Sequence, residues 1–114
     1  MININVDEGY AFDFLSILQV KHETIDSKEL EERFTECKNY ISKQIGSTLF
    51  SEIINSKEYK NCYLANLKTF EAVEKARYGE ISAKEVDTCN MIRYEAKVKL
   101  QKCFFDSSLN EYKT

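Results

Sequence analysis

Three polar side chains near the end of the chain, Asn90, Arg93 and Lys97, follow one another at helical spacing. Positions i, i+3 and i+7 fall on one face of an α-helix, so these hydrogen-bond donors would lie side by side. A planar guanidinium beside an ammonium and an amide is suited to binding phosphate or carboxylate. Asn66 and Arg77, eleven residues apart, also share a helix face. These five residues are therefore the candidate ligand-binding residues of the chain.

A structural role for the same residues is the main alternative. Arg93 can pair with Asp13 or with a glutamate of an acidic helix, and the neighbouring amides would then complete an ion-pair network inside the fold. The sequence favours this network over a pocket. Spacing alone leaves three possibilities open for the Asn, Arg and Lys face, namely a pocket, a subunit interface or a structural network.

Acidic pairs provide the only pattern that suggests catalysis. Glu29 with Glu32, and Glu71 with Glu74, lie one turn apart, a spacing that can hold Mg²⁺ against the phosphates of a nucleotide. In all-α nucleotide pyrophosphohydrolases such a cluster is followed on the next helix by Glu-x-x-Asp, whereas the nearest approach here, Glu85 and Asp87, has a different spacing. We predict no catalytic residue, and a Mg-dependent nucleotide hydrolase remains an alternative to simple phosphate-ligand binding.

Histidine and cysteine usage predicts no metal site and no cofactor. The di-iron carboxylate bundles need two Glu-x-x-His motifs, whereas this chain has a single histidine, His22, which suits a surface or helix-capping role. The four cysteines, Cys37, Cys62, Cys89 and Cys103, contain no Cys-x-x-Cys pair. Each lies on or beside the apolar stripe of its helix, so we expect buried free thiols in a reducing compartment.

Helices must position these side chains, because the chain has no proline and only three glycines in 114 residues. Asp7 is the expected N-cap of a first helix that ends near Thr24. A capping box at Asp26 and Glu29 predicts a second helix over about 27–45, and Gly46 with Ser47 separates it from a short apolar helix that ends at Asn55 and Ser56. Ser56 then caps a third long helix through Arg77, and Ser82 with Glu85 opens a fourth that reaches about Phe105.

The apolar spacing predicts which helix faces point inward. The first helix is apolar over a wide arc, which is typical of a central helix buried on more than one side. The expected inward residues of the third long helix are Tyr59, Tyr63, Leu67 or Asn66, Phe70 and Val73. Those of the fourth are Val86, Cys89, Ile92, Ala96, Leu100 and Cys103. Alternation of Ile2, Ile4 and Val6 with asparagines predicts a short strand over residues 2–6, which would lie against the helices or pair with its copy in another subunit.

Short connections between long helices favour antiparallel neighbours. We therefore predict an all-α fold, an up-and-down bundle of about four long helices plus one short helix, with residues 1–114 forming a single helical domain. The last nine residues are expected to be frayed.

At several of these positions the chain resembles a family of short, functionally uncharacterised helical proteins, a domain of unknown function found in bacteria and tailed phages. The family's opening Asp-Lys-Leu-Thr-Ile-Leu-Glu-Ile-Lys is matched by Asp13, Leu15, Ser16, Ile17, Leu18, Val20 and Lys21, with departures at Phe14 and Gln19. Its later Asn-Asp-x-Arg-x-x-x-Lys corresponds to Asn90, Arg93 and Lys97, with Met91 in place of Asp, and an Asn, an aromatic residue and an Arg on one helix resemble Asn66, Phe70 and Arg77. The resemblance implies a helical fold and no established activity.

Composition limits the remaining function classes. A formal net charge of −3 gives no general attraction to nucleic acid or to an anionic membrane, and we expect neither as a partner. Residues 1–6 lack the features of a signal peptide, and no apolar run approaches a membrane span, so a cytoplasmic location is expected. The excess apolar surface of a small bundle instead predicts a homo-oligomer, dimer or higher, with a possible protein partner. The function best supported by the sequence is a non-enzymatic interaction module.

Overall fold

The computed structural model describes residue 2 and residues 4–105 of the chain. Every regular element in this described part is an α-helix, which confirms the predicted all-α, bundle-like fold. In chain order the helices are α1 (Glu8–Thr24), α2 (Lys28–Ile45), α3 (Ser47–Ile54), α4 (Lys57–Arg77) and α5 (Ala83–Phe104). The predicted fraying of the last nine residues lies outside the described residues.

Side-chain caps determine where four of the helices begin. Asp7, Ser27, Ser56 and Ser82 accept hydrogen bonds from the backbone N–H groups of Tyr10, Leu30, Tyr59 and Glu85, respectively. Such caps satisfy donors that have no partner within the helix. Three of these four starts agree with the sequence prediction, and Gly46 and Gly79 take positive φ angles of 93° and 74° at the expected breaks.

The start of α2 differs from the prediction by one residue. Ser27, and not Asp26, is the N-cap, and its hydroxyl accepts from the Leu30 N–H at 3.4 Å. Ser27 has extended backbone angles of φ −146° and ψ 121°, as an N-cap requires, so the first helical residue is Lys28. The predicted box between Asp26 and Glu29 is therefore wrong, because the helix begins one position later than that spacing assumed.

Helix α1 is the central element, as its wide apolar arc predicted. It packs against α2, α4 and α5, while α4 and α5 pack along each other. All five helices contribute to the buried core, whose members are Phe12, Leu15, Ile41, Phe50, Ile53, Tyr59, Cys62 and Leu100. Phe12 is fully buried at its centre, with its ring centroid 5.9 Å from that of Phe50 and 6.3 Å from that of Tyr59. These edge and offset contacts are favourable aromatic geometries.

The buried faces of α4 and α5 agree only in part with the predicted ones, since Tyr59, Asn66 and Leu100 are buried as expected and other predicted residues are not. On α4 the buried residues are Tyr59, Cys62, Ala65, Asn66, Thr69 and Ala72, whereas Val73 is exposed and Tyr63, Leu67 and Phe70 are half-buried. The buried positions Cys62, Thr69 and Ala72 each precede a predicted inward residue by one position. Their side chains are smaller than the predicted ones, and small side chains allow helix backbones to approach closely. On α5 the buried residues are Leu100 and Gln101. Of the predicted stripe, Leu100 is buried and Val86, Cys89 and Ala96 are half-buried, whereas Ile92 and Cys103 are exposed.

The described residues of the predicted N-terminal strand, residue 2 and residues 4–6, do not form a strand. Ile2, Ile4, Asn5 and Val6 have no regular secondary structure, and Asn3 lies outside the described residues. A strand needs a neighbouring backbone to pair with, and the described part of the chain offers only helices. Ile2 and Ile4 are 89% and 75% exposed, so their side chains are also not covered by the helices.

Candidate functional site

An ion pair between Asp13 of α1 and Arg93 of α5 is the centre of the candidate site. The Arg93 guanidinium donates from Nη2 to Asp13 Oδ2 at 3.0 Å and from Nε to Oδ1 at 3.4 Å. The Asp13 side chain is 8% exposed and that of Arg93 is 31% exposed. A two-point contact of this kind fixes the orientation as well as the distance of the two groups. Of the two kinds of ion-pair partner that the sequence left open for Arg93, the structure shows Asp13.

Helix α4 completes the surroundings of this carboxylate. Asn66 Nδ2 donates to Asp13 Oδ1 at 2.9 Å and to the Ser16 hydroxyl at 2.6 Å, and that hydroxyl donates to the Asp13 carbonyl oxygen at 2.8 Å. Asp13, Ser16, Asn66 and Arg93, which we call the Asp13 network, thus join three helices. No buried side-chain nitrogen or oxygen in the described part of the chain lacks a partner. The buried members of the network, Asp13, Ser16 and Asn66, are therefore satisfied, as stable buried polar groups must be.

A cleft of about 200 Å³ opens beside the network, between α1 and α5. Its lining residues are Tyr10, Asp13, Asn90, Arg93, Tyr94 and Lys97, and we call it the α1/α5 cleft. The Lys97 ammonium lies 5.6 Å from the Tyr10 ring centroid and 5.1 Å from that of Tyr94. Both distances fall in the range of cation–π attraction. Lys97 forms no salt bridge within the described residues, so its positive charge is not neutralised by a nearby carboxylate.

The structure brings together three of the five residues predicted to bind a ligand. Asn90, Arg93 and Lys97 all line the α1/α5 cleft. Asn66 is buried and reaches the same place only through its hydrogen bond to Asp13. Arg77 lies away from the cleft at the end of α4, where it is exposed and pairs with Glu74 at 3.7 Å. Its exposed i, i+3 contact is an ordinary surface pair.

Close contact between α1 and α5 fixes the position of the cleft. The Gly9 N–H donates to Gln101 Oε1 at 2.5 Å, and Gln101 Nε2 donates to Glu8 Oε1 at 3.3 Å. A Cβ atom at Gly9 would lie only 2.9 Å from the Lys97 carbonyl oxygen. Glycine is therefore required here for close approach, although its backbone is ordinary α-helix.

Sequence reasoning missed several members of this region. Ser16, Gly9, Tyr10 and Gln101 were not predicted to take part, and neither was the Tyr94 ring. Ser16 carried a usable signal, because it follows Asp13 by three residues inside an otherwise apolar stretch of α1. The other four gave none, since their roles depend on where α5 meets α1.

A second polar cluster joins α1 to α4 near the other end of α1. Tyr59 donates to Gln19 Oε1 at 2.7 Å, Gln19 Nε2 donates to Glu23 Oε2 at 3.3 Å, and the Tyr63 hydroxyl donates to Glu23 Oε1. We call Gln19, Glu23, Tyr59 and Tyr63 the tyrosine cluster. Burial, followed by neighbouring ionisable groups, raises the pKa of Tyr59, and the hydrogen bond to Glu23 is the main cause of a raised pKa at Tyr63.

The cysteines differ from one another in burial, and all four are free thiols. Cys62 is fully buried, and this burial, with a smaller contribution from the charge of Asp13, raises the pKa of its thiol to about 12. Cys37 and Cys89 are half-buried. The expectation of burial is wrong for Cys103, which is exposed and donates to Glu58 Oε1 at 3.4 Å. His22 stacks on Phe34 with ring centroids 5.4 Å apart.

Two structural findings and the comparisons with known proteins bear on function. Within the described residues, no group of three or more His, Cys, Asp or Glu side chains is placed to hold a metal ion. No helix of the described part combines the length and apolar character that crossing a membrane would need. No family model, curated protein or solved structure matches the chain, so the resemblance to a bacterial and phage family remains a prediction.

Proposed function

We propose that this protein is a non-enzymatic interaction module that self-associates as a homodimer. The observation that carries the proposal is a set of exposed, large apolar side chains gathered on one side of the molecule. These are Ile4, Val6, Tyr10, Phe14 and Tyr40, and they are between 42% and 75% exposed. All five line one groove of about 340 Å³ between residues 4–6, α1 and α2, and we call them the N-terminal apolar face.

Such a gathering of apolar groups favours a partner. Complete burial of one large apolar side chain is worth about 1.5–3 kcal/mol, and a contiguous apolar patch on a small protein commonly marks an interaction site. The groove floor is formed by core residues such as Phe12 and Ile41, while Asn5 and Gln44 provide polar groups among its lining residues. An apolar centre with polar groups around it is the usual anatomy of a protein–protein interface.

A second copy of the chain is the partner we assign to this face. In a two-fold symmetric dimer the same patch occurs on both subunits, so a face with many like charges would repel itself. Among the described residues that line the groove, Glu8 alone is charged. The face is therefore compatible with its own copy. We also place the module in the cytoplasm, a location that suits four free thiols.

Sedimentation velocity of the full chain over a broad concentration range tests this proposal. We expect a monomer–dimer equilibrium that Phe14→Glu shifts toward monomer by at least about tenfold in dissociation constant, because a carboxylate would be buried in the interface. Met91→Glu is the matched control, since Met91 is also an exposed apolar helix residue but lies outside the face. A wild-type chain that stays monomeric, or equal effects of the two variants, would overturn the proposal.

The alternative function, phosphate-ligand binding, has its own observation in the α1/α5 cleft. The Mg-dependent hydrolase hypothesis gains no comparable support, because Glu29 contacts Arg33 at 3.4 Å and Glu74 contacts Arg77. These carboxylates belong to exposed surface pairs on separate helices. Ligand binding without catalysis is thus the second candidate.

A further inference from the structure

We infer that the α1/α5 cleft binds the phosphoryl group of a small phosphate monoester. This inference rests on the donors and charges of the cleft, whereas the proposed dimer rests on the apolar face; among the described lining residues, Tyr10 is common to both. Several polar groups in the cleft keep hydrogen-bond donors that no acceptor within the described residues uses.

Arg93 keeps unused donors although it pairs with Asp13. A guanidinium has five N–H groups in one plane, and the contact with Asp13 uses one on Nε and one on Nη2. Three N–H groups therefore remain for another acceptor. Arg93 is also only partly covered by protein, so a ligand in the cleft can reach it.

The other polar groups of the cleft are also available as donors. The Asn90 amide and the Tyr94 hydroxyl make no side-chain hydrogen bond within the described residues, and both side chains are exposed. Lys97 contributes an ammonium that is held by two aromatic rings but has no carboxylate partner in the described part of the chain. The one carboxylate that lines the cleft, Asp13, already accepts from Asn66 and Arg93. The cleft therefore offers donors to a ligand and needs acceptors from it.

The charges of the cleft residues also favour an anionic ligand. Asp13 and Arg93 neutralise each other, so Lys97 leaves the cleft with one net positive charge. Because the chain as a whole has a net charge of −3, this positive charge is a local feature and not a general property of the surface. An anion would be attracted to this position specifically.

Size and geometry favour a phosphoryl group. The cleft of about 200 Å³ has room for a phosphoryl group and part of a small organic group. Donors come from a guanidinium, an ammonium and an amide on successive turns of α5. The oxygens of a phosphoryl group point in several directions and can accept from all of them, whereas a planar carboxylate has two oxygens.

Isothermal titration with inorganic phosphate and with a sugar phosphate, at constant ionic strength, tests the inference. We expect saturable binding of both, weaker binding of acetate, and a loss of at least about tenfold in affinity for Lys97→Gln. Lys99→Gln is the matched control, because Lys99 lies two residues further along α5 and lines a different cleft, against α4. It removes the same charge and should change the affinity by less than about twofold.

A second variant keeps the test decisive if Lys97→Gln alters folding. Asn90→Ala removes an exposed amide with no hydrogen bond among the described residues, so the fold should persist, and phosphate affinity should fall by a few-fold. Equal losses for Lys97→Gln and Lys99→Gln would overturn the inference, since they would indicate only general charge attraction. Acetate bound as tightly as phosphate would overturn the phosphoryl assignment. Titration of the Phe14→Glu variant separates the two proposals, because a monomer that still binds phosphate retains the cleft without the dimer.

Discussion

Helix α1 contacts α4 through two polar clusters that each contain a carboxylate and an amide and that differ in burial. The Asp13 network lies in the first half of α1, where the side chains of Asp13, Ser16 and Asn66 are all buried. The tyrosine cluster lies in the second half, where Tyr59 is buried but Glu23 is exposed. Both contain a carboxylate that accepts side-chain hydrogen bonds. The number of hydrogen bonds is therefore a poor guide to stability, because the cost of an unmade bond depends on access to water.

Of the substitutions that test the difference between the two clusters, Arg93→Met is expected to lower the free energy of unfolding the most. Removal of the guanidinium leaves the buried Asp13 carboxylate with Asn66 but without its counter-charge, so we expect the free energy of unfolding to fall by about 3 kcal/mol. Urea unfolding followed by circular dichroism measures this change. Arg33→Met is the matched control, because Arg33 and Glu29 form an exposed pair that is worth about 0–1 kcal/mol. Similar losses for the two variants would contradict the distinction between buried and exposed pairs.

Gly9→Ala is expected to have the next largest effect. An alanine Cβ would lie 2.9 Å from the Lys97 carbonyl oxygen, so α1 and α5 must separate or distort. We predict a loss of about 1–3 kcal/mol in the free energy of unfolding, as for other overpacked sites. The intrinsic preference of helices for alanine over glycine acts in the opposite direction by roughly 1 kcal/mol. A variant that is more stable than the wild type would therefore show that the two helices are not in close contact here.

Alkaline pH should lower the free energy of unfolding, because the buried Cys62 thiol keeps its proton in the native protein. Burial raises the pKa of the Cys62 thiol from its ordinary value of 9.0 to about 12 in the folded protein. As pH rises above about 9, the unfolded chain loses this proton while the native protein keeps it, so the free energy of unfolding decreases. By about pH 10 the expected loss from this group is roughly 1.4 kcal/mol.

Unfolding of the wild type and of Cys62→Ala, compared at about pH 8 and about pH 10, isolates this contribution. The variant should lose less stability over that interval, even if the missing sulfur lowers its stability at both pH values. Equal pH dependence in the two proteins would show that Cys62 ionises as readily in the native state as in the unfolded chain.

The smallest effects are expected within the tyrosine cluster, where two hydroxyls can be compared directly. Tyr59→Phe removes the donor to Gln19 at a buried ring, and we expect a loss of about 1 kcal/mol in the free energy of unfolding. Tyr63→Phe removes the donor to the exposed Glu23, where water can replace the hydroxyl, so the expected loss is below about 0.5 kcal/mol. Thermal unfolding of both variants shows which substitution costs more stability. A larger loss for Tyr63→Phe than for Tyr59→Phe would contradict the role assigned to burial.

Local patterns in the sequence were enough to predict the helices. Asp7, Ser56 and Ser82 were predicted as caps, and each accepts the expected backbone hydrogen bond, because capping involves residues only three positions apart. Helix spacing also placed Asn90, Arg93 and Lys97 together, and they line one cleft. Whether that cleft binds a ligand stays a prediction.

Which residues of α4 and α5 face the core was less predictable from the sequence than where the helices begin and end. On α4 the inward face contains Thr69 and Ala72, although the larger apolar residues Phe70 and Val73 follow them directly in the chain. Periodicity gives the spacing of a stripe, but the choice between adjacent stripes depends on how closely two helices can approach. The same uncertainty led to the wrong predictions for Ile92 and Cys103 on α5.

The sequence by itself determined the helical class, the helix ends to within one residue and the local charge pattern, because these depend on neighbours within a few residues. Only the tertiary structure decided that Gly9 meets Gln101, that Asn66 joins Ser16 and Asp13, and that Lys97 lies between two tyrosine rings. These contacts link residues far apart in the chain, and they depend on the rotation and approach of whole helices.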